Sequence, residues 1–156
     1  MFGHDCRSEL VKGMGNPMES KHIKTFIFAG NARFTLVSKV TGARFTYRLR
    51  ASEKGDVFFA SLLTGSDNEN SYSYLGIIKA DHDGWQDHAE LRSTRKSRIS
   101  PQAPGFRALE WFLRHIGHDA VECHHEGRCG KCGRALTVPE SIETGLGPVC
   151  AAGLAA

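Results

Sequence analysis

Apolar and polar positions alternate most cleanly at residues 44–50, where Phe45, Tyr47 and Leu49 face one way and Arg44, Thr46, Arg48 and Arg50 the other. A period of two with one apolar side is the mark of a half-buried strand. Residues 32–38 alternate in the same way around Phe34 and Leu36, and the polar turn at 39–42 makes the two runs an antiparallel hairpin. Residues 57–64 are almost continuously apolar over a strand's length, which predicts a central strand covered on both faces. The Gly-Ser-Asp-Asn-Glu-Asn run at 65–70 predicts a loop, and 72–78 the next strand, so the expectation is a four-stranded meander.

Residues 79–100 are polar, acidic and His-containing first and basic later, and predict an excursion with little core. After Pro101 and Pro104, residues Phe106, Leu109, Phe112, Leu113 and Ile116 recur at helical spacing, and Gly117 is placed to end the helix. Ahead of the first strand, residues 24–28 form a short apolar stretch. The first twenty residues carry three glycines and a proline with little periodicity, and read as a loosely docked arm. The predicted architecture is α+β: an arm (1–20), a four-stranded antiparallel sheet with one packed helix (21–118), and a small zinc module (119–156).

The zinc module is the stretch with sharp chemical meaning. Cys129 and Cys132 form a Cys-x-x-Cys pair with glycine after each cysteine, and Cys150 follows Gly147-Pro148. That spacing lets two thiolates converge on one metal from a tight turn, with glycine supplying the backbone angles. Cys150 supplies a third sulfur at the start of a short C-terminal helix. The fourth ligand must lie just upstream, where Cys123, His124 and His125 are adjacent; His125 is the candidate chosen, although spacing alone does not separate the three. Four Cys/His ligands close a tetrahedron and describe structural zinc rather than catalytic zinc. The tail is too short to build an apolar core alone, so a treble-clef-like unit stabilised by Zn²⁺ is expected, with metal binding worth on the order of 10 kcal/mol.

Competing chemistries fit less well. A thioredoxin-like dithiol sits in a βαβ pattern that this chain lacks. His124-x-Glu126 ahead of the cysteines superficially suggests a zinc deaminase, but only two residues separate the glutamate from Cys129, and Arg128 stands where a proline belongs. The acids at 67–69 and 81–87 do not match a Ca²⁺-loop pattern. No nucleophile, base and orienting group occur in recognisable arrangement, so no enzyme activity is expected.

Charge sharpens the choice of partner. The net charge is +3, but it is segregated. Residues 33–50 hold five basic and no acidic side chains, 53–90 hold two basic and eight acidic, and 92–114 hold six basic and one acidic. The cysteine-rich tail has four acids against three bases, so a nucleic-acid footprint belongs on the two basic segments instead. Arg44, Arg48, Arg92, Arg95, Lys96 and Arg98 are the candidate phosphate contacts. An arginine-and-tyrosine sheet face built from Arg44, Arg48, Arg50, Tyr72 and Tyr74 competes with an ordinary polar outer face. The absence of a membrane-length apolar run and of a secretory pattern, with an odd count of five cysteines, predicts a cytoplasmic protein without a membrane partner.

Several stretches together resemble a family of uncharacterised phage and prophage proteins. They are Gly30-Asn31-Ala32-Arg33-Phe34-Thr35, Leu63-Thr64-Gly65 with Asp67-Asn68, Tyr74-Leu75-Gly76, and the tail from His125-Glu126-Gly127-Arg128-Cys129 through Cys132-Gly133-Arg134 to Gly147-Pro148-Val149-Cys150. The family's tail pattern is His-x-Gly-x-Cys-x-x-Cys-Gly-x-x-Leu with a late Gly-Pro-x-Cys, and His125 falls on its histidine. This chain departs in carrying Cys123 and His124 beside it. The resemblance implies a mobile-element origin, residence in a bacterial host cell and a metal site. The expected function is a non-enzymatic zinc-binding accessory protein that binds nucleic acid, with an adaptor or inhibitor of a host defence complex as the alternative.

Overall fold

In the computed structural model, residues 17–67, 70–81 and 84–155 are described. The expected arm falls almost wholly outside them, as do Cys6, Asn68, Glu69, His82 and Asp83. The elements are α1 (Ser20–Ile27), β1 (Asn31–Ser38), β2 (Arg44–Ala51), β3 (Val57–Leu63), β4 (Tyr72–Asp81), β5 (Gly84–Arg92), α2 (Pro104–Arg114), β6 (Val121–His125), α3 (Pro139–Thr144) and α4 (Pro148–Ala155).

The strands form one antiparallel sheet in the order β5-β4-β3-β2-β1-β6. The expectation of a four-stranded sheet with one packed helix and a treble-clef-like tail is therefore corrected: two further strands and a second core-facing helix complete the body. The excursion expected after β4 is instead β5, which pairs Leu91 with Ile78 and Ala89 with Ala80. Its pattern hid it, because after Trp85 the polar run Gln86-Asp87-His88 delays the buried apolar positions Ala89 and Leu91 to its end. Gly76 permits the close approach of β5, since a Cβ there would collide with the Arg92 carbonyl. At the opposite edge β6 pairs with β1, setting Cys123 against Leu36 and His124 against Thr35. Five residues containing two histidines and a glutamate carry too little alternation to announce a strand.

The stretch at 24–28 belongs mainly to α1. Ile23, Phe26 and Ile27 are buried at helical spacing, one face of two turns. The strands' inner face carries Ala32, Phe34, Leu36, Tyr47, Leu49, Phe58, Ala60, Leu75, Ile78 and Leu91, which meet Phe106, Leu109, Phe112 and Leu113 of α2 and the buried face of α1 in one core. Phe34 anchors it, with ring centroids 6.4 Å from Phe112 and 6.5 Å from Phe26. The buried Tyr47 hydroxyl donates to the Gly105 carbonyl at 2.6 Å, fixing the first turn of α2 over β2. One face of β3 is not covered as expected: Phe58 points inward, but Phe59 points outward and is 42% exposed.

Candidate metal centre and basic segments

The Cys129–Cys132 turn is built by backbone hydrogen bonds. The Cys129 N–H donates to the Arg134 carbonyl at 2.8 Å, and the Gly133 N–H to the Cys129 carbonyl at 2.9 Å. Gly133 adopts φ +79°, a left-handed conformation that a side chain would strain. Between the knuckle and Gly147 stands the short helix α3, ended by Gly145 in the left-handed conformation. The chain then turns at Leu146–Gly147 into α4, whose first turn carries Cys150. The Gly130 N–H donates to the Gly145 carbonyl at 2.8 Å, closing the knuckle onto that turn.

The result is that the sulfurs of Cys129, Cys132 and Cys150 lie within 4.8 Å of one another and could hold a metal ion. Their electrostatics suit that role. Burial pushes the Cys129 thiol up, but N–H groups of Gly147, Cys132 and Lys131, together with the Cys132 side chain, outweigh it and bring it down to about 7. The Lys131 N–H stands 3.4 Å from its sulfur. Cys150 is pushed up to about 11, first by desolvation and then by the neighbouring thiols, so Cys129 gives up its proton ahead of Cys150.

The three upstream candidates separate by strand alternation. Cys123 faces inward and is packed in the core, where desolvation pushes its thiol far up. His124 faces the other way, buried, with Nε2 3.4 Å from a Glu122 oxygen. His125 faces inward at the end of the strand, on the same side as the knuckle, its ring 5.7 Å from Phe26. The His125 Nδ1 accepts the Gly127 N–H at 2.8 Å and its Nε2–H donates to the Ile142 carbonyl. Among the described residues, no fourth Cys, His, Asp or Glu joins the three sulfurs within 4.8 Å.

Phe26 ties this centre to the body. It is fully buried, and both Gly130 and Gly145 pass so close to it that a Cβ at either would overlap the ring. The Gly130 carbonyl also accepts the Asn31 N–H at 2.7 Å, linking the knuckle to the start of β1.

The basic residues spread over the outer face and one edge. Arg44 is exposed at the start of β2. Arg48 lies four residues on, its guanidinium 4.6 Å from the Tyr72 ring centroid. Arg92 ends β5 and pairs with Glu90 at 3.2 Å. Arg95, Lys96 and Arg98 are exposed in the connection at 93–100, where the Arg98 N–H donates to the Tyr74 carbonyl at 2.9 Å. The sheet therefore does not gather all six into one patch. It does build a cross-strand row that sequence reading missed: Arg92 opposite Ile77, Ile77 opposite Phe59, Phe59 opposite Arg50. Phe59 also meets Tyr74, centroids 6.5 Å apart. The signal overlooked was the side of β3 on which Phe59 falls.

Fold and site together define a curved antiparallel sheet body carrying a three-cysteine metal-type knuckle at its C-terminal end. Residues 124–155 match the model of a family of unknown function, DUF6011. No curated protein and no solved structure matches the chain. No helix among the described residues is long and apolar enough to cross a membrane.

Proposed function

We propose that the protein is a non-enzymatic nucleic-acid-binding accessory protein of phage or prophage type, whose Cys129, Cys132 and Cys150 hold a structural Zn²⁺. A cluster of three thiols with backbone N–H groups directed at one sulfur suits a borderline-soft, tetrahedral ion. His125 is the fourth ligand in this reading, because alternation along β6 sends it, and not His124, to the inner side that faces α1 and α3. Ligation requires one of its ring nitrogens to leave its present backbone partner. The ion would fold the tail and present no open position for chemistry.

The observation that carries the nucleic-acid reading is Phe59, an exposed ring directly opposite Arg50, with Arg92 one strand further on across Ile77 and Tyr74 beside it. An aromatic on a sheet face stacks unpaired bases, and flanking guanidiniums neutralise phosphates. The basic turn 93–98, tied to Tyr74, extends that face. The test is fluorescence anisotropy with labelled single-stranded oligonucleotides over a salt series. Phe59→Ala is expected to cost about 1–3 kcal/mol. Reversing Arg95, Lys96 and Arg98 to Glu is expected to lower the salt slope by about 2, from roughly 0.7 per phosphate contact on a single strand. Binding that is absent, or indifferent to salt and to these changes, rejects the proposal. A host protein retained on the immobilised chain after nuclease treatment, and lost on reversing acids of the 53–90 segment, would favour the adaptor or defence-inhibitor reading instead.

A further inference from the structure

Away from both sites, the exposed face of α2 and the open end of the sheet enclose a cleft of about 520 Å³. Its walls are Leu36 and Phe45 from the β1–β2 hairpin, Val121 at the start of β6, and Ala108 and Trp111 from the helix. This is the size and character of a small-molecule site: concave, mainly apolar, with few polar groups at the rim. Trp111 is a large apolar side chain left 37% exposed over it. The ring is also held in place, stacked on His115 with centroids 4.1 Å apart and planes at 17°. The His115 ring is fixed in turn by a 2.8 Å hydrogen bond between its Nδ1 and the Trp111 carbonyl. A tryptophan braced in this way keeps its apolar face toward the cleft without losing rotamer freedom on binding.

Charge at the rim selects the ligand. Arg107, Trp111 and Arg114 follow at four and then three residues, so both guanidiniums rise from the Trp111 side of the helix, roughly 10 Å apart along its axis. Neither arginine has an ion-pair partner among the described residues. Glu110 also lines the cleft, leaving an excess of one positive charge among its arginine and glutamate side chains. We infer that this cleft binds a small anionic amphiphile, a molecule with an apolar body and one carboxylate, its body against Trp111 and Phe45 and its head on Arg107 or Arg114. An arginine fork suits a carboxylate bidentately, whereas a cationic head would meet both guanidiniums at the rim.

The probe is decanoate, below its micelle threshold, titrated calorimetrically into the full-length protein while the Trp111 indole N–H is followed by NMR. Saturable binding with a shift of that resonance is expected, with decan-1-ol at least tenfold weaker. Arg107→Gln with Arg114→Gln should weaken decanoate at least tenfold and leave decan-1-ol unchanged, and Glu110→Gln should tighten decanoate. Ala108→Phe should fill the cleft and abolish binding at an unchanged melting temperature; Ala43→Phe tests the same from the opposite wall if the helix variant does not fold. Equal affinity for the acid and the alcohol, binding that survives both filling substitutions, or no heat and no indole shift up to the solubility limit would overturn the inference. Oligonucleotide binding enters none of these readouts, so this inference and the proposed function stand or fall separately.

Discussion

Gly145 and Gly127 offer a matched pair for asking whether the metal module is docked on the body or merely appended to it. Both have left-handed backbones, φ +76° and φ +80°. A Cβ at Gly127 meets nothing within 4 Å, whereas one at Gly145 overlaps the Phe26 ring. Alanine at either position costs about 1–2 kcal/mol for the backbone conformation alone. At Gly145 the overlap adds about 1–3 kcal/mol, because Phe26 is fully buried against Phe34 and cannot swing away. The relief available is to lift the α3–α4 turn, and with it Cys150, off the knuckle. The added cost should then appear as lost metal affinity, about 5- to 150-fold at 1.4 kcal/mol per decade. The assay is competition for Zn²⁺ against a chromophoric chelator, using the full-length protein and its Gly127→Ala and Gly145→Ala variants, with thermal melts alongside. Phe26→Leu in the Gly145→Ala background should recover part of the loss, giving a coupling of the same sign as the overlap. Equal zinc affinities for the two alanine variants would show that Phe26 does not position the centre, and the docking argument would fail.

Tyr47→Phe removes the buried hydroxyl that meets the Gly105 carbonyl and should lower stability by about 1–2 kcal/mol, read as a reduced urea midpoint with unchanged slope. The Ser52 hydroxyl donates to Asp56 at 2.8 Å and, with the Asp56 backbone N–H and nearby Lys54, holds that carboxyl below its ordinary range. A depressed folded-state value means the contribution is full above the unfolded value and fades as pH falls through the folded one. Ser52→Ala should therefore raise the Asp56 midpoint in a carboxyl-carbon NMR titration, and the stability it loses relative to the unsubstituted protein should be full at neutral pH and shrink as pH falls through the acidic range; an unmoved midpoint would discount the hydrogen bond.

What the sequence made readable depended on how local the cause was. The alternation at 44–50 reports directly on β2, since the period of two is imposed within the strand by one buried face. The cysteine spacing reports on the sulfur cluster for a similar reason: a tight turn brings Cys129 and Cys132 together, and Gly147-Pro148 starts the helix that carries Cys150. By contrast, β5 is a strand because β4 offers it an edge and Gly76 lets it close in, neither of which is written in Gly84–Arg92. The helix α1 is two turns long, too short for its three buried positions to stand out from an apolar run. The positions of Cys123, His124 and His125 become separable only once β6 pairs with β1, because a strand alternates its faces and an unpaired segment does not. Phe59 was hidden by its neighbour Phe58: two adjacent phenylalanines read as doubly covered core, yet the outer one is open to solvent.

The most direct test of the structural-zinc account is zinc-edge X-ray absorption on protein purified without added metal. One zinc per chain is expected, with three sulfurs at about 2.3 Å, one nitrogen at about 2.0 Å and no water in the shell. In the Cys150→Ser variant the tail residues should lose protection from amide hydrogen exchange. A tail that stays protected without any metal, or a zinc that carries a water ligand, would contradict the account.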